Sequence, residues 1–467
     1  MMEVVLMQAR STSEGLRSAD TNNAQHKLPV PVLTHEGVMR NSVHCDRVAW
    51  LVVVLAAAWA TQHFGGQTAG AQATAAPAVP QAPRAAPADV AAAKQRLGEA
   101  AIYRFNNAGA LTHITIPDGA DITADDVVLF SRLADLHTLH IFDCRSFNDE
   151  MIGHLTGLER LRSLAITNSG LTDAGVETLV KAFPDLVELD LSSNTNLTGT
   201  SLKLITGLEK LETLTLLQNR FNDLNTRRLS KMTQLRTLDL RGNMEAGDMT
   251  LEVIGKLPNL TALKHRSTAV TDAGLQGLAE SKTLESLLMQ DFVITNESGP
   301  QLAKLSKLSS LEVFRCQGFG SEGVLALANM PLTRLTLRDL PDVGDTGLAV
   351  LAKLPNLKRL YLHELASVGD AGLRQLAAAK QLEVLDIWSL PKMTDASIDI
   401  IAALPNLKEL SIRETGVTEA SVAKIAAMPK LQSLTFKNNG PLSAENAATL
   451  TGRKWAKLDL GTAAAAK

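Results

Sequence analysis

Three groups of side chains in this sequence have residue types and spacing that can do chemistry. His113, His137, His140, Asp143 and Cys144 are all zinc-ligand types, gathered in one stretch. Gly318-Phe319-Gly320-Ser321-Glu322-Gly323 fits the G-x-G-x-x-G pattern, whose glycines let a backbone approach a dinucleotide pyrophosphate. Phe314, Arg338, Tyr361, His363, Trp388 and Arg413 combine aromatic and guanidinium groups, the side chains most enriched at binding hot spots. What each group can do depends on the elements that hold it.

Those elements come from a repeat. Aligned on L-x-x-L-x-L, the first leucine falls at Leu111, Leu136, Leu161 and onward to Leu431, always 24 or 25 residues apart, with Trp455 in the last such slot. A fixed period of this kind is the signature of stacked repeats. Counted from that leucine, each unit reads as a short strand, a turn, an amphipathic helix and a return that often contains proline. Leu357-Lys358-Arg359-Leu360-Tyr361-Leu362 is one such strand, and a helix is expected over 370–378. Strand alternation buries slots one, four and six. Thr172-Asp173, Thr271-Asp272 and Thr394-Asp395 supply a cap and an acid for the helix dipole, while Pro258, Pro355 and Pro405 stop the helices before them. Parallel strands stack about 4.8 Å apart and helices about 8 to 10 Å apart, so one helix per strand forces curvature. The expected fold class is an α/β solenoid with a concave parallel sheet and helices on the convex side.

In that register the three groups part company. Slots two, three, five, seven and eight face the open side of the sheet. Slot seven runs through Phe314, Arg338, His363, Trp388 and Arg413, with Tyr361 in slot five and Arg334 and Arg359 in slot three. These six singled-out residues are expected to bind a ligand. His137 and His140, three apart on a strand, face different ways, and Cys144 falls in slot nine, so no metal is expected. Gly323 occupies the place of Gly274, Gly347 and Gly372 in units that lack the glycine pattern, which makes it a repeat residue. No H-E-x-x-H, Walker loop or G-x-S-x-G occurs, and no catalytic residue or cofactor is expected.

From about residue 88 to 461 the chain resembles leucine-rich repeat proteins. Its L-x-x-L-x-L followed by (T/G)-D-A-G-L-x-x-L-A is similar to the ribonuclease-inhibitor-like and cysteine-containing subtypes, and the chain resembles secreted bacterial members. In that family slot nine is Asn or Cys, whose side chain satisfies loop backbone groups. Cys144, Asn194, Asn219, Asn243, Cys316 and Asn439 keep the rule, whereas Phe292, Leu340, Leu365 and Leu390 imply apolar packing there. The resemblance implies a horseshoe of about 14 repeats plus a terminal strand over 111–461. It implies non-catalytic recognition of a protein partner on the concave face. An extracellular polysaccharide stacked on Tyr361 and Trp388 is the alternative ligand. An F-box-like intracellular substrate adaptor is the alternative role, and no F-box precedes the repeats.

The 467 residues carry 46 basic and 49 acidic side chains, so no global positive excess points to nucleic acid. Three cysteines are too few for a disulfide-stapled module. Aromatic residues are only 4% of the chain, which makes each exposed one informative. Val48–Ala60 is an apolar run shorter than the roughly 20 residues of a membrane span and within the roughly 7 to 15 of a secretory h-region. A start at Met39 would put Arg40 and Arg47 just before it, and Ala58-Trp59-Ala60 and Ala71-Gln72-Ala73 offer cleavage sites. Residues 1–73 are therefore expected to be a signal region, 74–87 an Ala/Pro-rich linker, 88–110 an N-terminal cap and 462–467 a tail. The expected location is secreted or periplasmic, with membrane contact only through an uncleaved signal segment.

Overall fold

The computed structural model describes residues 84–461. The expected signal region, most of the linker and the tail lie outside them. Within the described residues one sheet of sixteen strands follows chain order from first to last. Its strands are β1 (Ile102–Phe105), β2 (Leu111–Ile116), β3 (Thr138–Ile141), β4 (Ser163–Ile166), β5 (Glu188–Asp190), β6 (Thr213–Thr215), β7 (Thr237–Asp239) and β8 (Ala262–Arg266). They continue as β9 (Ser286–Gln290), β10 (Ser310–Phe314), β11 (Arg334–Arg338), β12 (Arg359–His363), β13 (Val384–Trp388), β14 (Glu409–Arg413), β15 (Ser433–Lys437) and β16 (Lys457–Asp459). From β2 onward every neighbour pair is parallel, and like slots meet: Leu335 faces Leu360, Leu360 faces Leu385 and Leu385 faces Leu410. This is an α/β repeat solenoid. No helix among the described residues is long and apolar enough to cross a membrane.

The core is the row structure itself. Slots one, four and six are buried in repeat after repeat, as at Leu357, Leu360 and Leu362. Burying a leucine of this kind contributes roughly 1.5 to 3 kcal/mol, and the row is repeated along the whole sheet. At the amino-terminal end the helix Pro87–Leu97 starts with proline in its first turn and buries Ala93. The strand β1, which periodicity did not announce, pairs antiparallel with β2 and covers an edge that would otherwise bare its backbone groups. Ahead of the helix, the amides of Arg84 and Ala85 donate to Asp135 at 2.6 and 2.9 Å, and Arg160 holds that carboxylate from the other side at 2.9 Å.

Two hydrogen-bond ladders lock neighbouring repeats. In slot nine, the Asn219 amide donates to Leu191 O at 2.7 Å and its oxygen accepts from Asn194 N at 3.1 Å. Asn194 and Asn243 repeat the arrangement. Phe292, Leu340, Leu365 and Leu390 sit buried in the same place as apolar plugs. The second ladder runs along the helix starts. Asp395 accepts from Thr418 N at 2.9 Å and Thr418 Oγ1 at 2.6 Å, and Asp370 does the same for Thr394 in the repeat before. Each acid thus serves the next repeat's helix cap as well as its own helix.

The convex segments differ from expectation in the carboxy-terminal half. The helix expected over 370–378 is α-helical only across Asp370–Leu373 and tightens to a 3-10 helix across Arg374–Ala378, and Gly347–Lys353 is 3-10 throughout. Strands β8 to β15 have five residues each, which leaves fewer for the return. A 3-10 helix rises about 2.0 Å per residue against about 1.5 Å for an α-helix, so it covers the return with fewer residues.

Candidate functional site

The parallel register brings five of the six candidate residues into one row. Phe314 pairs with Arg338, Arg338 with His363, His363 with Trp388 and Trp388 with Arg413. Tyr361, two slots earlier along β12, stands beside His363 with the two rings edge to face at 6.1 Å. All six are half-buried on the open face. Guanidinium groups fill the spaces between the rings. Arg315 and Arg338 lie 4.4 and 4.3 Å from the Phe314 ring, Arg338 and Arg413 lie 5.2 and 5.5 Å from Trp388, and Arg334 lies 4.6 Å from Tyr361. Such contacts contribute about 0.5 to 2 kcal/mol each, the more so where water is excluded. Arg338 reaches Trp388 from the amino-terminal side of the row and Arg413 from the carboxy-terminal side.

Carboxylates hold the arginines in place. Glu364 accepts from Arg338 Nε at 2.8 Å, and Asp291 accepts from both Arg266 Nε at 2.6 Å and Arg315 Nε at 2.7 Å. Asp386 accepts from Arg413 Nη2 at 2.9 Å, with His363 Nε2 a further 3.5 Å away on its other side. At that distance the contact is longer than a formed hydrogen bond. Burial pushes the Asp386 carboxyl up, but His363 and Arg413 outweigh it and hold it below the usual carboxylate range. Asp291 is held low against burial by Arg315 and Arg266 in the same way.

Sequence reasoning did not foresee how slot eight takes part. Gln218, Arg315, Glu364, Glu414, Asp291 and Asp339 all have left-handed backbone, with φ between 51° and 59°. A side chain other than glycine in that region costs roughly 1 to 2 kcal/mol. The turn aims Glu364 and Asp291 back at arginines of the preceding slot-seven row. Asp143, Asn168, Gly242 and Asn438 in the same slot share the turn and are types that favour it, a signal the sequence offered, whereas Arg315 and Glu364 carry none. A shallow depression of about 400 Å³ opens beside the patch, lined by Tyr361, Asp386, Ser411, Arg413, Lys437 and Asp459 among others. Lys437 and Asp459, also absent from the expected site, close on each other at 2.7 Å.

The other two groups are used up by the fold. His113 pairs with Thr112 Oγ1, His137 with Asp135 O and His140 with Ser163 Oγ, while Cys144 is buried. Burial drives His140 down to about 4, with a further push from His113. No metal-holding group of three or more His, Cys, Asp or Glu occurs among the described residues. In the glycine pattern, the amides of Gly320 and Gly323 both donate to Asn296 Oδ1, at 2.8 and 2.9 Å. They have no donors left for a phosphate. A Cβ on Gly323 would meet the Phe319 ring of its own repeat at 2.7 Å and Asn296 Oδ1 of the preceding one at 3.0 Å, and one on Gly274 would meet Asp248 Oδ1 of the preceding repeat at 2.5 Å, so close packing requires the glycine.

Strand, turn, slot-nine ladder and convex return now stand together, and the leucine rich repeat family profile matches residues 159–221, 184–244 and 304–328. The chain carries leucine-rich repeats. The first two matches cover the stretch in which slot nine holds Ser169, Asn194, Asn219 and Asn243. Among solved structures the repeat protein is similar to an internalin from Listeria monocytogenes, at 18% identity over 83% of this chain and 100% of that one, with a TM-score of 0.42. It is similar to the yeast Rad7 and Elc1 complex at 16% identity, over 66% of this chain and 83% of that one, with a TM-score of 0.49. A Leptospira interrogans leucine-rich repeat protein matches at 18% identity over 73% and 87%, with a TM-score of 0.42. No curated protein matches the sequence. None of these likenesses bears on what this repeat protein binds.

Proposed function

We propose that this leucine-rich repeat protein is a non-catalytic scaffold that holds a protein partner on the open face of β10 to β14 and is exported from the cytoplasm. The reading rests on one observation above all, the row of Phe314, Arg338, His363, Trp388 and Arg413 with Tyr361 beside it, half-buried and stacked ring on guanidinium. Preorganised aromatic and arginine side chains of this sort dominate binding energy at interfaces. The row spans four strand steps, about 19 Å, a length suited to a hot-spot cluster. Polysaccharide binding is disfavoured by the same contacts, because a sugar stacks on an open ring face and Trp388 has two guanidinium groups within 5.5 Å of its ring centre.

Trp388→Ala and Leu385→Ala test the reading together. Leu385 is fully buried, and its truncation should cost roughly 2 to 5 kcal/mol of stability. Trp388→Ala should destabilise less and weaken partner binding by more than about 1 kcal/mol. The measurements are thermal unfolding and affinity capture from the native host with the full chain. A folded Trp388→Ala variant that captures the same partners equally well would remove the row from the binding site. Export rests on the apolar run and the A-x-A sites, and amino-terminal sequencing of native protein checks it. A cytosolic chain still beginning at Met1 or Met39 would sink that part.

A further inference from the structure

Two features of the patch are left unexplained by packing alone. Among the described residues only two buried side-chain polar atoms lack a hydrogen bond, Thr336 Oγ1 and His363 Nε2. Both belong here, on adjacent strands: Thr336 lies in slot five of β11, level with Tyr361, and His363 lies in slot seven of β12, level with Trp388. Buried polar groups are hydrogen-bonded in the great majority of cases, so Thr336 Oγ1 with no partner, and His363 Nε2 with only Asp386 Oδ1 at 3.5 Å, ask for a reason. Thr336 is short and stands between Arg334 and Arg338 on its own strand, so it forms the floor of the patch.

The second feature is unspent donor capacity. Arg338 uses Nε on Glu364, and neither of its terminal nitrogens makes a hydrogen bond. It is held between Phe314 and Trp388 with a third of the side chain exposed. Arg334 is stacked on Tyr361. A guanidinium fixed by stacking presents a two-donor edge that matches a carboxylate and has lost its rotamer freedom in advance. An aromatic or sugar ligand finds the ring faces taken, whereas a carboxylate arriving edge-on leaves every stack intact.

We propose that Arg338, with Arg334 and Arg359 beside it, reads carboxylates on an acidic segment of a protein partner, and that His363 Nε2 and the Thr336 hydroxyl complete the hydrogen bonds to that segment. The inference rests on the protein-binding reading above and names the partner's chemistry. Glu364 takes only Nε, so it leaves the terminal edge of Arg338 open while its negative charge opposes the incoming carboxylate. Arg241, whose guanidinium closes on Asp239 at 2.8 Å at the far end of the row, takes no part.

The test is fluorescence anisotropy of a fluorescein-labelled deca-glutamate peptide against the full chain at low and high salt, beside deca-lysine, dextran sulfate and poly(U). Deca-glutamate should bind, and Arg338→Gln should weaken it roughly tenfold or more. Glu364→Gln should tighten it, and Arg241→Gln should leave it unchanged. Thr336→Val should melt no lower than the parent, because it removes an unpartnered hydroxyl, yet bind several-fold more weakly. A merely structural threonine would not separate those two readouts. Equal binding by a folded Arg338→Gln variant, or undiminished binding by Thr336→Val, would overturn the proposal. So would Arg338-dependent binding of dextran sulfate or poly(U) with none of deca-glutamate. If partner capture depends on Trp388 while deca-glutamate ignores Arg338, this inference falls and the scaffold reading stands. If neither dependence is found, both fall.

Discussion

Asp395 illustrates how single side chains join one repeat to the next. Its carboxylate takes hydrogen bonds from Thr418 N, Thr418 Oγ1 and Ser421 Oγ, all in the following repeat. Burial pushes its carboxyl up, but those bonds outweigh burial and hold it below the ordinary range. Asp173, Asp272 and Asp370 are lowered against burial by the same set of partners. A carboxylate depressed in the folded state contributes stability that is fully present above its unfolded value of about 3.9 and is lost as pH falls through the folded value. Acid should therefore unfold the protein below about pH 4, with these aspartates acting in concert. Asp395→Ala should cost about 1 to 3 kcal/mol at pH 7, since hydrogen bonds to a charged group go with it. The gap between variant and parent should close as pH approaches 3. Urea midpoints measured from pH 7 to pH 3 check this, and a gap that stays constant would show that the carboxylate's charge is immaterial.

The strands were legible in the sequence and the turns around them only in part. Leucines at slots one, four and six state both the strand and its buried side, and parallel pairing then places Phe314, Arg338, His363, Trp388 and Arg413 in one row with no further information. Slot nine was equally open to reading, because Asn and Leu at one position announce two ways of filling the same pocket. Three things escaped in whole or in part. The left-handed turn at slot eight was readable at Asn168, Gly242 and Asn438, which favour it, but at Arg315 and Glu364, which do not, the repeat must impose it. The acids at helix starts were read as partners of their own helix dipole, since spacing cannot reveal a bond to the following repeat. Strand β1 has only four residues and no period to betray it. Thr336 could have been found from register alone, as the one short polar residue of slot five boxed in by Arg334, Arg338 and Tyr361, but nothing in its type marks it as unpartnered.

A solenoid of this kind is held by contacts between neighbours, so its stability is a sum of repeat and interface terms and its ends are its weakest points. The two ends are finished differently. The amino-terminal end has a helix with buried Ala93, the antiparallel strand β1 and the Asp135 clasp on Arg84, Ala85 and Arg160. The carboxy-terminal end has the helix Ala444–Thr451, which buries only Leu450, and the three-residue β16, none of whose residues is buried. Arg453 ties carbonyls of Ala426 and Met428 at 2.7 Å each, and Trp455 Nε1 reaches Leu450 O at 2.7 Å, which secures the last return without adding a core. Fraying should begin there. Hydrogen exchange read by mass spectrometry should find the amides of β15 and β16 opening first and those of β10 to β13 last, because the interior strands must wait for a sub-global opening. The row from Phe314 to Arg413 lies on β10 to β14, with a packed repeat on either side of every member. That position supplies the rigidity a preorganised binding surface needs, and it fixes the sign of the result. If β16 exchanged as slowly as β11, nearest-neighbour cohesion would not describe this molecule. The interior placement of the patch would then lose its physical meaning.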